Sequence, residues 1–295
     1  MLFYAETPLK FAFSKRLIGE EEASLKVQDS QKKVFSILGV PFDGTSTYQP
    51  GARFGPMLLR ESSYNFEGYN LYLDKKLDTE FYDLGDVQTV PGNFKKTCHQ
   101  VQFSVQELVD HGYVPLVIGG DHSISYPVTR ALDIGTASVI HLDAHTDLRD
   151  DYAGEKYSHA TVMRRISELK PENIIQIGIR SSSPEEVQYA RENSLIQFTA
   201  RDVNKNLDQV VDYLAALEGP LYVTVDMDVL DPAYAPSVGT PAPGGLNPLE
   251  LETLILSLKD KDVLGLDVVE ASSSSVGDVT SINAAKVLLD FLFLQ

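Results

Sequence analysis

Ala137-Ser138-Val139-Ile140-His141-Leu142-Asp143-Ala144-His145-Thr146-Asp147 is the stretch from which the rest of the chain can be read. Ala137 to Ile140 is an apolar run with the character of a buried strand end. If extended geometry persists beyond it, the period of two points His141, Asp143, His145 and Asp147 the same way, with Leu142 and Ala144 toward the packing side. Four side chains able to bind metal then converge at one strand end.

Outward from this stretch, apolar strand-like runs alternate with helix-like ones. Strands are expected at Val34 to Val40, Phe81 to Leu84, Val114 to Ile118, Ile174 to Ile179, Leu221 to Val225 and Val263 to Val268. Met57 to Ser63 begins a helix with Pro56 suited to its first turn. Thr97 to His111 has helical spacing, with Val101, Val105, Leu108 and Val109 on one face; Tyr126 to Ala131 and Ala160 to Leu169 are also read as helical. Such alternation gives right-handed βαβ units and a mostly parallel sheet covered on both faces. Ligands of such sheets sit beyond the carboxyl ends of the strands. His122, the Asp143 cluster, Arg180, the Asp226 cluster and Glu270 each follow an apolar strand directly. No repeat or long linker divides the chain, so one domain is expected over 34–295, preceded by an extension over 1–33 whose charged part, Glu20 to Lys33, is a solvated segment.

The 295 residues suffice for a sizeable core, and a hydrophobic share of 43% with 23% charged residues is that of a globular protein. With 25 basic and 42 acidic residues the net charge is −17, which argues against nucleic acid or an anionic membrane as partner and fits a cationic substrate. The single Cys98 can form no internal disulfide and suits a reducing cytoplasm. No apolar run approaches the ~20 residues needed to span a bilayer. Met1 to Leu17 lacks the pattern of a signal peptide, so a cytoplasmic location is expected.

A second acidic pair stands in Thr224-Val225-Asp226-Met227-Asp228-Val229-Leu230-Asp231-Pro232, where Asp226 and Asp228 at a strand end can face one cavity. Buried carboxylates without compensation are strongly disfavoured, so a bound cation is the economical explanation. If His122, Asp143, His145, Asp147, Asp226 and Asp228 are the ligands, four carboxylates are balanced by two divalent ions. An oxygen-rich shell without thiolate favours manganese over zinc. Asp121 and Asp231 are read as loop braces, His141 as a supporting or packing residue, and His99 and His111 as surface residues.

Gly119-Gly120-Asp121-His122-Ser123, Asp143-Ala144-His145-Thr146-Asp147 and Asp226-Met227-Asp228-Val229-Leu230-Asp231-Pro232 resemble the three metal motifs of the ureohydrolases, the arginase and agmatinase family. Gly39-Val40-Pro41-Phe42-Asp43 and Pro50-Gly51-Ala52-Arg53-Phe54-Gly55-Pro56 resemble it too, so the likeness runs from about Val34 to the C-terminus. It implies an arginase-like three-layer α/β/α sandwich around an eight-stranded, mostly parallel sheet. It also implies two Mn2+ per subunit: one held by His122, Asp143, Asp147 and Asp226, the other by His145, Asp143, Asp226 and Asp228. Asp147 is then the proton carrier, His159 a proton shuttle or a support for the leaving amine, and Glu270 the carboxylate that grips a guanidinium. A homo-oligomer, trimer or hexamer, is implied as well. The chain departs from the family at Ala160, where Gly is usual, and at Ser272 to Ser275, where a Pro is usual.

The expected reaction is hydrolysis of a guanidino C–N bond, agmatine and water giving putrescine and urea as in polyamine biosynthesis. Asp150, Asp151 or Glu155, in the loop after Asp147, are expected to receive the distal ammonium, while Arg149 and Lys156 keep arginine and guanidino acids such as 4-guanidinobutyrate as alternatives. Two readings of other classes are a single-zinc, deacetylase-like amide hydrolase and a non-catalytic metal-binding protein. The first would not need both His145 and Asp228, and the second would be expected to have lost a ligand.

Overall fold

The structure is a computed structural model that describes residues 9–15, 33–273 and 275–295. In chain order its strands are β1 (Val34–Gly39), β2 (Tyr69–Asn70), β3 (Lys75–Lys76), β4 (Phe81–Asp86), β5 (Tyr113–Ile118), β6 (Ser138–Leu142), β7 (Asn173–Ile179), β8 (Ile196–Thr199), β9 (Pro220–Asp226) and β10 (Asp262–Val269). Eight of them form one parallel sheet in the order β4-β1-β5-β10-β9-β6-β7-β8, while β2 and β3 pair as a small antiparallel ribbon.

Helices cover both faces. On one lie α1 (Gly55–Ser63), α6 (Ala200–Lys205), α7 (Leu207–Ala216), α8 (Pro248–Leu256) and α9 (Val279–Leu294), packed on Phe35, Ile37, Leu116, Ile140 and Val223. On the other lie α2 (Phe94–Asp110), α3 (Ser125–Leu132), α4 (Val162–Ser167) and α5 (Pro184–Glu192), packed on Leu38, Val117, Val139 and Tyr222. Strands buried on both faces favour apolar residues on both sides, which is why most of these runs show no simple alternation. Among the described residues no helix is long and apolar enough to cross a membrane.

Seven sheet strands fall where the apolar runs place them, within a residue or two. The eighth, β8, has no such run: it is an edge strand of four residues, Ile196, Gln197, Phe198 and Thr199, alternately half-buried and exposed. The helix expected from Thr97 starts earlier, at Phe94, because the Asn93 side chain accepts from Lys96 N at 3.0 Å and caps it. The stretch expected to be helical from Ala160 opens instead as a 3₁₀ turn, His159–Thr161, ahead of α4. Most of the stretch expected to be solvated, Glu20 to Lys33, lies outside the described residues.

Leu9 to Lys15, within the expected extension, lies on the sheet edge. Phe11 is fully buried edge-on to Phe81, and its N–H donates to Asp83 Oδ2 at 2.7 Å. Arg60 in α1 grips the same carboxylate with two bonds, Nε to Oδ2 at 2.8 Å and Nη2 to Oδ1 at 2.9 Å, and reaches Asp86 at 2.6 Å. Removing one member of a buried pair strands the other's charge. Arg60→Ala is therefore expected to lower unfolding stability by about 3–5 kcal/mol, measured by denaturant titration. A loss below 1 kcal/mol would contradict this role.

Candidate metal centre

Strand β6 ends at Leu142, and the chain then leaves the sheet. Asp143 N still donates to Ile177 O at 3.0 Å, but Ala144 O accepts from both Arg180 N and Ser181 N, and Asp147 adopts a left-handed φ of 54°. The extended alternation expected across His141 to Asp147 therefore does not persist. A loop pinned to the end of β7 brings these side chains together instead. Glu186 completes the pinning: it accepts from Thr146 Oγ1 at 2.9 Å, Leu148 N at 3.0 Å and Ser183 N at 2.8 Å. At the end of β9, Asp226 accepts from Asp228 N at 2.8 Å, and the 3₁₀ turn Met227–Val229 swings Asp228 back beside it.

The six expected ligands converge. His122 Nδ1 lies 3.0 Å from Asp143 Oδ2, 3.3 Å from Asp147 Oδ2 and 3.2 Å from Asp226 Oδ2. His145 Nδ1 lies 2.9 Å from Asp228 Oδ2 and 3.5 Å from Asp143 Oδ1. Asp143 thus turns one oxygen to each half. Among the described residues, two overlapping groups have ligand atoms close enough to hold an ion: His122, His141, Asp143 and Asp147, and Asp143, His145 and Asp228.

The protonation of His122 tests whether a cation belongs here. Thr224 Oγ1 donates to Asp267 Oδ1 at 2.6 Å, so its lone pair is left to accept from His122 Nε2 at 2.9 Å. With the Nε2 proton so placed, the Nδ1 lone pair faces three carboxylate oxygens and has no hydrogen-bond partner of its own. Only a proton or a metal ion can sit between such groups. The residues fit a binuclear metal site.

Electrostatics agree. Burial opposes charge on His122, yet the carboxylates of Asp143, Asp147 and Asp226 beside it raise it well above the usual imidazole range. Burial likewise opposes charge on His145, but Asp228 and Asp143 push it up to about 12. Burial, then the charges of Asp228 and Asp143, raise Asp226 well above the carboxylate range.

A cavity of about 250 Å³ opens above the cluster, lined by His145, Asp147, Arg149, Tyr152, His159 and Glu270 among others. Glu270 follows β10 with φ 64°, is buried, and accepts from His122 N at 2.8 Å. Burial, and then the charge of Asp121, raise its carboxyl well above the usual range. His159 stands between the hydroxyls of Thr45 (3.4 Å) and Thr47 (3.5 Å), with the Tyr152 ring edge-on. Ala160 also lines the cavity, and beyond Glu270 Ser272 N donates to Ser237 O at 2.8 Å.

Asp150 and Asp151, expected to receive the distal group, do not line this cavity. Asp150 is exposed and pairs with Arg165 at 2.6 Å, and Asp151 accepts from Gly154 N in a turn. The loop turns Arg149 and Tyr152 inward instead, Arg149 stacked on Tyr152 and 3.7 Å from Glu186. Asp121 and Asp231 do brace loops, through Thr45 and through Gly244 and Gly245. Thr224 and Asp267 also support the centre, although no motif spacing singles them out. Their signal was a polar residue inside an apolar strand run.

The arginase family model matches residues 33–294. The chain belongs to the arginase family. It is 40% identical to the N(1)-aminopropylagmatine ureohydrolase of Thermococcus kodakarensis, over 88% of this chain and 90% of that one. It is also 40% identical to the agmatinase of Bacillus anthracis, over 87% and 90%. The structure of proclavaminate amidino hydrolase from Streptomyces clavuligerus superposes with a TM-score of 0.83 at 34% identity, covering 89% of this chain and 91% of that one. Within the arginase family the chain is an agmatinase-like ureohydrolase enzyme, built on the family's α/β sheet.

Metal uptake must displace the protons that His122 and His145 hold in the metal-free protein. Mn2+ binding is therefore expected to release protons, and apparent affinity to rise with pH. Calorimetry in buffers of different ionisation heat checks this, and uptake without proton release would contradict the arrangement.

Proposed function

We propose that this protein hydrolyses agmatine to putrescine and urea with two Mn2+ per subunit. His122, Asp143, Asp147 and Asp226 would hold one ion, and His145, Asp143, Asp226 and Asp228 the other. The observation that carries the reading is the His122 lone pair turned toward three carboxylates at the floor of a cavity that also contains Glu270. When bound, two such ions supply a water whose pKa is lowered toward ~7.

The remaining work falls to side chains. Glu270 receives the planar guanidinium, whose charge pairs with this buried carboxylate. Asp147 accepts the proton of the attacking water at a carboxylate oxygen and delivers it to the leaving amine. His159, facing the same cavity, passes protons to solvent. The rim has Arg149 against Glu185 and Glu186, two acids to one base, which supports a distal ammonium. A second reading, a guanidino acid such as 4-guanidinobutyrate, is favoured by Arg149 itself, the cation that lines the cavity.

Urea release from agmatine, arginine and 4-guanidinobutyrate, compared with Mn2+ present, decides the substrate. Agmatine is expected to turn over fastest, and faster turnover of either acid would overturn the assignment. Asp147→Asn is expected to lower kcat by about 10²- to 10⁴-fold. Glu270→Gln should instead act mainly on KM. Near-normal urea production by Asp147→Asn would remove the proton role given to that residue.

A further inference from the structure

At one level of the sheet a row of polar residues crosses five neighbouring strands. Gln197 on β8 is in register with Gln176 on β7, which pairs with His141 on β6, then Thr224 on β9, then Asp267 on β10. Gln176, His141, Thr224 and Asp267 are all fully buried. Parallel strands buried on both faces ordinarily carry apolar residues at such positions. A polar row there is costly unless every member is bonded.

The bonds run in one direction. Gln176 Nε2 lies 2.8 Å from Thr146 O, a carbonyl that can only accept, so this atom is the amide NH₂. The same NH₂ lies 2.9 Å from His141 Nδ1, which must therefore accept. The His141 proton is then on Nε2, 2.8 Å from Asp143 Oδ2. Gln197 Nε2 donates to Gln176 Oε1 at 2.8 Å and fixes the amide from the sheet edge. Asp143 Oδ1 meanwhile accepts from His145 N at 2.5 Å.

We propose that Gln176 and His141 are positioning residues, a proton-locked relay that holds Asp143 with one oxygen toward His122 and the other toward His145. This rests on the reading of Asp143 as a ligand shared by both ions. Thr224 and Asp267 set the proton of His122 from the opposite side of the row. The two halves thus fix separate groups of one centre. Groups that orient metal ligands in this way typically carry 10- to 100-fold in metal affinity.

The test compares wild type with Gln176→Glu, which keeps the volume but replaces the donor facing Nδ1 by an acceptor. Mn2+ affinity is read by chelator competition, and the His141 tautomer by nitrogen-15 NMR of the metal-free protein. Wild type is expected to show the proton on Nε2, and Gln176→Glu to bind Mn2+ about 10- to 100-fold more weakly. If Gln176→Glu does not fold, Gln197→Leu at the exposed sheet edge replaces it, with an expected weakening of about 2- to 10-fold, one hydrogen bond's worth. A wild-type His141 protonated on Nδ1, or a folded Gln176→Glu binding two Mn2+ with unchanged affinity, would overturn the relay alone, as would unchanged affinity in Gln197→Leu where it is the replacement. A wild type that takes up no Mn2+ would overturn the metal reading and the relay with it.

Discussion

His122 gives its Nε2 proton to Thr224 and turns the lone pair of Nδ1 toward oxygens of Asp143, Asp147 and Asp226, all within 3.3 Å and all buried. Unpaired, each buried carboxylate would cost several kcal/mol. A positive charge at that point converts mutual repulsion into attraction. The carboxyl ends of β6 and β9, the 3₁₀ turn after Asp226 and the pinned loop after Leu142 all serve this one contact. So does the choice of a polar row through the middle of an apolar sheet.

The fold makes such a centre possible because a parallel sheet sends every strand end to the same rim. Helices on both faces exclude water from the strands, and β5, β6, β9 and β10, at the middle of the strand order, deliver His122, the Asp143 loop, Asp226 and Glu270 to adjacent places. Two of these residues, Asp147 and Glu270, have left-handed backbones that cost energy for a non-glycine residue. That strain is tolerated at the rim, where each aims a carboxylate into the cavity.

Much of this was legible in the sequence. Seven strands announce themselves as apolar runs, and the acids and histidines that follow them mark the rim. What was not legible has physical reasons. The edge strand β8 is half-buried and needs no apolar run. Convergence of His141 to Asp147 is not a matter of alternation, because the strand stops at Leu142 and bonds to β7 then set the path. Asp150 and Asp151 resemble a cation site in sequence, but Arg165, on the helix that follows the loop, captures Asp150, and a local turn uses Asp151. Gln176 and Thr224 gain meaning only once the strand register places them on either side of His141.

The central claim is that the two oxygens of Asp143 serve two separate cations. Crystals grown with Mn2+ and measured for anomalous scattering test it most directly. Two peaks are expected, one beside Asp143 Oδ2 and His122, the other beside Oδ1 and His145. A single peak, or none within bonding distance of Asp143, would contradict the account.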